Sequence, residues 1–298
     1  MRTLKFSKYQ GLGNSFLITE RYDYLTRGDK LAKLACDKHY GIGADGMMFA
    51  LENRTESVFD YQMKLFNADG SLAEMSGNGI RCFTHYLINN GLVKGSEAKI
   101  LTDAGILEVN VLNSDPFDLA NEYLVQLNVR VQMGKATVFH KPENEAVAVV
   151  ASKFISNIDK IWEVEIGNPH LVIYHHSDRP IHYAKLYHEI SSIYRNGINM
   201  EVISKVKSDE INLIVYERGV GPTMACGTGA CASAAAARIL KGLPEKIEVE
   251  MPGGVIEVEW DGSGVIYMSG PARYVFEGKV SPELLPDSLK LPLDKVPC

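Results

Sequence analysis

Two stretches of this 298-residue chain, about 150 residues apart, carry the same arrangement of small polar and glycine residues. One is Ser76-Gly77-Asn78-Gly79-Ile80-Arg81-Cys82 and the other Cys226-Gly227-Thr228-Gly229-Ala230-Cys231-Ala232. In each, a hydroxyl or thiol precedes two glycines and an apolar run of helical character. A helix N-terminus has unpaired backbone N–H groups and a partial positive charge, so a carboxylate bound there needs no further cation. The same field is expected to lower the pKa of a thiol in the first turn, making thiolate available near neutral pH. The glycines at 77, 79, 227 and 229 permit close backbone approach. Two such ends facing one carbon would supply a proton-transfer group to each of its faces. That is the arrangement needed to invert a carbon centre.

The match extends outward from both segments. Asn67-Ala68-Asp69-Gly70 begins nine residues before Ser76, and Glu217-Arg218-Gly219-Val220-Gly221 begins nine before Cys226. Upstream, Gly13-Asn14 corresponds to Gly167-Asn168. Downstream, Asp103-Ala104-Gly105 corresponds to Pro252-Gly253-Gly254. A glycine-rich nucleotide loop is the rival reading, but neither copy has a P-loop lysine or GxGxxG spacing. Taken singly each residue has an ordinary explanation: Arg218 as a surface ion pair, Asn199 as a turn residue, Asn168 as turn initiation before Pro169, His170 as structural. Their joint appearance at matching offsets carries the functional reading.

The elements that must position these residues are short strands with a few helices. In the first half, strands are expected at Leu4 to Tyr9, Phe16 to Glu20 and Tyr61 to Asn67, and again at Lys99 to Leu101, Ile106 to Leu112 and Glu122 to Val131. Helices are expected at Lys30 to His39 and Gly79 to Asn89, the second ended by Asn90-Gly91. In the second half, strands are expected at Trp162 to Ile166, Leu171 to Tyr174, Met200 to Lys207, Glu210 to Tyr216, Ile247 to Met251, Val255 to Trp260 and Val265 to Ser269. Helices are expected at Tyr183 to Tyr194 and Gly229 to Lys241, the last capped by Gly242. This pattern implies an α+β fold of two pseudo-symmetric domains, each a sheet wrapped around a central helix, with the active site in the cleft between them. The expected domains are residues 1–132, with a last strand near 271–280 as a candidate to join them, and residues 133–280, with a tail at 281–298 that has no assigned role.

The composition fits two ordinary soluble domains: 46% of residues are hydrophobic and the formal net charge is −6. No Lys/Arg run is dense enough for nucleic acid, and no apolar stretch approaches the roughly 18 residues of a membrane span. The N-terminal segment alternates like a strand and lacks a signal-peptide core, so a cytoplasmic protein is expected. Cys36, Cys82, Cys226, Cys231 and Cys298 make an odd, widely spaced set, which argues against a disulfide framework. No CxxC pair or paired-His motif suggests a metal.

At this point the chain resembles the diaminopimelate epimerases. The motifs that carry the resemblance are Gly11-Leu12-Gly13-Asn14, Gly41-Ile42-Gly43-Ala44-Asp45-Gly46, Phe66-Asn67-Ala68-Asp69-Gly70-Ser71, Ser76-Gly77-Asn78-Gly79, Gly167-Asn168-Pro169-His170, Tyr216-Glu217-Arg218-Gly219 and Ala225-Cys226-Gly227-Thr228-Gly229, in that order over roughly residues 4 to 278. The resemblance implies epimerisation of LL-2,6-diaminoheptanedioate to the meso form by two-base proton transfer, with no cofactor and no metal, in lysine and peptidoglycan precursor biosynthesis. It implies that Asn67, Asn168, Asn199 and Arg218 bind the distal carboxylate, and that Glu217 meets the distal amine and stands beside a catalytic thiol. Asn14 would line the same cleft and His170 would orient a catalytic group. The N–H groups of Gly77, Asn78, Gly227 and Thr228 would hold the reacting carboxylate. A homodimer is plausible for such a family, and the only partner implied is a small amino-acid substrate.

The family's second catalytic cysteine is matched by Cys226. At the first position this chain has Ser76, whose hydroxyl is a far weaker acid than a thiol. Three readings of Ser76 stand side by side: an engineered change that traps substrate, a natural variant in which serine is activated by neighbours or relays protons, and loss of turnover with binding kept. A racemase of another amino acid on the same fold is the further alternative.

Overall fold

The computed structural model describes residues 3–53, 58–73, 75–114, 125–139, 142, 144–176, 179–281 and 285. The expected tail, apart from Ser281 and Leu285, and the first residues of the strand expected from Glu122, lie outside them. The chain divides into two compact units, Met1–Val131 with Pro271–Cys298, and Gln132–Gly270. Among the described residues, no helix is long and apolar enough to cross a membrane.

In the first unit β1 (Leu4–Gly11) and β2 (Asn14–Thr19) form a hairpin. Its two-residue turn places both Leu12 (φ 55°) and Gly13 (φ 85°) in the left-handed region, as a turn that matches the strand twist requires. Helix α1 (Gly28–Cys36) crosses over to β3 (Gly46–Glu52), parallel to β2. Strand β4 (Tyr61–Asn67) runs antiparallel to β3 and turns into the short β5 (Leu72–Ala73). Helix α2 (Gly77–Asn89) then crosses over to β6 (Glu97–Thr102), parallel to β4, and β7 (Gly105–Ser114) and β8 (Gln126–Lys135) complete the order.

The second unit repeats that order. After β9 (Thr137–Phe139) and helix α3 (Ala146–Phe154), β10 (Ile158–Glu165) and β11 (Pro169–His175) pair antiparallel. Helix α4 (Tyr183–Ser191) leads to β12 (Asn199–Val206), parallel to β11, and β13 (Glu210–Glu217) turns into β14 (Gly221–Thr223). Helix α5 (Gly227–Lys241) leads to β15 (Lys246–Met251), parallel to β13, followed by β16 (Gly254–Glu259) and β17 (Val265–Val280). The ends of the copies are exchanged in the same sense. The continuation of β8, strand β9, pairs with β10, and the far end of β17 pairs with β1 from Leu4↔Val280 to Gln10↔Arg273.

Each parallel pair demands a crossover, and in each unit the second crossover helix is the central one. Helix α2 is buried from Gly77 to Leu87 and α5 from Gly227 to Ala237. Small residues make this possible on α5, where Ala234 to Ala237 let strands approach from all sides. The fold therefore agrees with the expected α+β class and its paired sheet-and-helix units.

Several boundaries differ from expectation. Helix α1 stops at Cys36 rather than His39. Asp37 is extended, and its Oδ1 accepts the N–H groups of His39 and Tyr40, both at 2.7 Å, so a side-chain turn displaces the helix. Helices α2 and α5 start two residues before the expected Gly79 and Gly229, because Ser76 and Cys226 cap them. Helix α4 ends at Ser191 instead of Tyr194. Strand β3, with its nearly continuous apolar run, and α3 were not anticipated. Strand β17 continues past Ser269 to Val280.

Candidate active site

The two duplicated segments fold into matched helix caps. Ser76 is the N-cap of α2 with φ −139° and ψ 120°, and its Oγ accepts the Gly79 N–H at 3.0 Å. Cys226 is the N-cap of α5 with φ −128° and ψ 118°, and its Sγ accepts the Gly229 N–H at 3.4 Å. Side-chain acceptors at this position satisfy one orphan donor of the helix. The N–H groups of Gly77 and Asn78, and of Gly227 and Thr228, have no intrahelical acceptor, as for any first turn. The expected carboxylate-binding donors thus lie beside both proton-transfer candidates.

Beneath the α2 cap lies Arg81, fully buried. Its Nη1 donates to the Gly77 carbonyl at 3.1 Å, its Nη2 to Asn78 Oδ1 at 2.9 Å and its Nε to the Pro271 carbonyl at 3.2 Å. The guanidinium therefore fixes the first turn of α2 against the returning part of β17. It fixes the Asn78 side chain as well, leaving that residue's contribution to its backbone N–H. Cys82 is buried in the same helix, and burial pushes its thiol up to about 12.

Asn14 opens β2, half-buried, and Asn67 ends β4, exposed. Asp45 holds both strand ends. Its backbone N–H donates to the Ser15 carbonyl at 2.9 Å, and its Oδ2 accepts the Ser15 N–H at 2.8 Å. Its carbonyl accepts the Ala68 N–H at 3.1 Å. The Asn67 amide donates to Ser71 Oγ at 3.0 Å, which orients it within the turn to β5.

The second unit gathers more of the expected residues around one point. His170 is wholly enclosed at the start of β11, with Nε2 2.9 Å from Asn168 Oδ1 and Nδ1 2.8 Å from Glu201 Oε1. Asn199, opposite His170 in the parallel β11–β12 register, donates from Nδ2 to the Pro169 carbonyl at 2.9 Å and accepts the Arg218 N–H at 2.9 Å. Glu217 ends β13, and its carbonyl accepts the Tyr187 hydroxyl at 3.0 Å. Arg218 is exposed and its aliphatic stem crosses Gly197, where any Cβ would come within 2.9 Å of it.

The state of Cys226 departs from expectation. The helix end was expected to favour thiolate, yet the thiol pKa is raised well above its ordinary value. Burial is the largest cause, the carboxylates of Glu217 and Glu201 add to it, and the contacts with Thr228 and Gly229 oppose it. Without a ligand, burial and the two carboxylates favour the thiol form of Cys226. Thr228 Oγ1 lies 3.4 Å from its sulfur.

Two residues of this site escaped the sequence reading. Glu201 follows Asn199 in a strand that reads as alternating, so it passes for a solvent-side residue. In fact β12 is buried on both faces from Asn199 to Ile203. Arg81 looks like a helix-surface charge, and only the small residues around it hint that the helix has no surface.

The chain matches the family model described as Diaminopimelate epimerase over residues 6–139 and 163–275. It is 36% identical to a diaminopimelate epimerase of Prochlorococcus marinus over 307 residues, covering 98% of this chain and 97% of the relative. It is 37% identical to one of Halothermothrix orenii, covering 93% and 98%. Among solved structures, a phenazine biosynthesis protein of the PhzF family from Bacillus anthracis superimposes with a TM-score of 0.70 at 17% identity, covering 94% of this chain and all of the other. That last likeness concerns the fold alone.

Proposed function

The chain belongs to the diaminopimelate epimerase family, and on that premise we propose that it interconverts LL- and meso-2,6-diaminoheptanedioate by moving the proton on one α-carbon. The observation that carries the assignment of roles is the pair of matched caps, Ser76 on α2 and Cys226 on α5, each accepting the N–H of the third residue on. In this reading both groups act on one α-carbon. The N–H groups of Gly77, Asn78, Gly227 and Thr228 hold its carboxylate and stabilise the carbanion-like transition state. Arg218 forms the fork for the distal carboxylate. Asn14, Asn67, Asn168 and Asn199 complete that end, and Glu217 takes the distal ammonium.

The proton inventory follows from burial and charge. Epimerisation needs a base on one face and an acid on the other. Cys226 enters as the thiol and delivers its proton to the carbanion when Ser76, having released its own hydroxyl proton to solvent, removes the α-proton from the opposite face. To remove a proton itself it must first release its own, and Glu217, whose charge already acts on the thiol, is the acceptor beside it. Ser76 accepts the Gly79 N–H through oxygen and keeps its own hydroxyl proton, so it is a competent donor and a poor base. Turnover on the Ser76 side is therefore the slow half. Residence in the cytosol is part of this reading: among the described residues, Cys36, Cys82, Cys226 and Cys231 form no disulfide.

The test is α-proton exchange in D₂O, followed by mass spectrometry, on LL- and meso-diaminopimelate separately, with this chain and with Ser76→Cys. Exchange by both, faster in Ser76→Cys, is expected. Activity only in Ser76→Cys leaves the substrate assignment standing and makes this chain a binding form. No exchange by either refutes the assignment.

A further inference from the structure

Glu201 is a carboxyl group placed where a carboxyl group is costly. It is fully enclosed, in a strand buried on both faces, between Met200 and Val202 of the second unit's core. Its Oε1 meets His170 Nδ1 at 2.8 Å, while its Oε2 is enclosed without a hydrogen-bond partner. A buried polar atom left unpaired works against folding, so its retention in a core of valine and isoleucine calls for a reason beyond stability.

Its surroundings supply one. A Cβ on Gly229 would lie 2.5 Å from Glu201 Oε1, so the carboxyl packs directly on the first turn of α5. That turn's Gly229 N–H is the group that holds the Cys226 sulfur. The partial positive end of the helix favours an anion here. On the other side, His170 is held at both ring nitrogens, by Glu201 at Nδ1 and by Asn168 at Nε2. A hydrogen bond at one ring nitrogen sets the tautomer and therefore what the other nitrogen offers.

We propose that Glu201 is a positioning residue of the proton-transfer site: through Nδ1 it locks the ring and tautomer of His170, so that Nε2 is the nitrogen turned toward Asn168 and the substrate. Burial raises the carboxyl's pKa, His170 opposes this and Glu217 reinforces it. The titratable groups that face Glu201 are His170 from β11, Glu217 from β13, Cys226 from α5 and Tyr187 from α4. The inference rests on the epimerase reading for its catalytic consequence but not for the lock itself.

The experiment therefore has two arms. The first is a ¹⁵N spectrum of the histidine side chains across pH in the substrate-free chain, compared with Glu201→Gln and Glu201→Met. The lock predicts one tautomer for His170 with a protected Nδ1 proton. Glu201→Gln should keep the tautomer but weaken the protection of the Nδ1 proton, and Glu201→Met should lose both. The second arm is α-proton exchange on diaminopimelate by the same variants and by their Ser76→Cys counterparts. It predicts at least a tenfold fall in kcat for Glu201→Met with KM within twofold, partial recovery in Glu201→Gln, and a displaced pH profile. His170 ¹⁵N shifts and Nδ1-proton protection unchanged in folded Glu201→Gln overturn the proposal, even if Glu201→Met fails to fold. A loss of tautomer in Glu201→Met, with no diaminopimelate exchange by any form, upholds the lock and removes the epimerase reading instead.

Discussion

Asn199 and Arg218 are joined by a hydrogen bond from the arginine backbone to the asparagine side chain, Arg218 N–H to Asn199 Oδ1 at 2.9 Å. With Nδ2 committed to the Pro169 carbonyl, Asn199 ties the start of β11 to the end of β13. It sets where the side chain of Arg218 starts from.

Removing the fork and removing the tie should therefore differ. Arg218→Met should raise KM for diaminopimelate by about ten- to a hundredfold, as expected for a lost charged hydrogen bond, without moving the urea midpoint. Asn199→Ala should raise KM and also cost about 1–3 kcal/mol of stability, because two part-buried backbone hydrogen bonds are lost. Steady-state kinetics beside urea denaturation checks both. Diaminopimelate binding unaltered in Arg218→Met would remove the distal-carboxylate role.

Cys226 should react slowly with iodoacetamide at pH 7 in the substrate-free protein, with a rate that keeps rising past pH 9. Peptide mass spectrometry separates it from the other cysteines. The raised thiol also fixes a sign for stability. A group whose folded pKa lies above its unfolded one contributes fully below the unfolded value, about 8.5 for cysteine, and the contribution fades as pH climbs toward the folded one. The advantage of the parent chain over Cys226→Ala should shrink between pH 8.5 and 10. Parallel urea midpoints across that range would contradict the assignment.

The equivalent glycines of the two caps should tolerate alanine unequally. At Gly229 the new Cβ meets Glu201 Oε1 at 2.5 Å, an atom held by His170. Gly229→Ala should cost about 1–3 kcal/mol, the usual range for overpacking, and suppress exchange. At Gly79 the nearest atom is the far end of Met48, 2.7 Å away, with Ser76 Cβ at 3.0 Å. Methionine yields readily, so Gly79→Ala should be the milder change in thermal unfolding.

Arg81→Met should destabilise the chain by at least about 3 kcal/mol, since it strands the carbonyls of Gly77 and Pro271 and the Asn78 side chain. Arg81→Lys keeps the charge but not the planar fork and should lose less. Calorimetry of the two variants distinguishes the geometric role from a purely electrostatic one.

Much of this fold is written locally. Tyr61–Asn67 alternates cleanly and is a half-buried strand over that span, and the alanine run before Gly242 is an enclosed helix ended by a left-handed glycine at φ 64°. The caps were visible as a repeated spacing, although their effect of starting each helix two residues earlier was not. The rest was hidden because it depends on neighbours far along the chain. Strand β12 has period-two spacing, but strands on both sides and α5 against one face enclose Glu201. The expected thiolate at Cys226 failed for the same reason, since a helix end seen alone favours the anion and the packed site adds burial and two carboxylates.

The pairing of β1 with the far end of β17 bears on how the protein is made. Leu4 and its partner Val280 are separated by nearly all of both units, so β1 leaves the ribosome long before the strand that completes its pairing. Until β17 is made, β1 has β2 on one side and an open row of backbone donors and acceptors on the other, a surface prone to mispairing. The first unit closes only when the second has been translated and β17 returns, so a truncated product lacks the finishing strand of its N-terminal half. Quality control thus comes with the topology: a chain cut short before Arg273 leaves its beginning unfinished as well as its end.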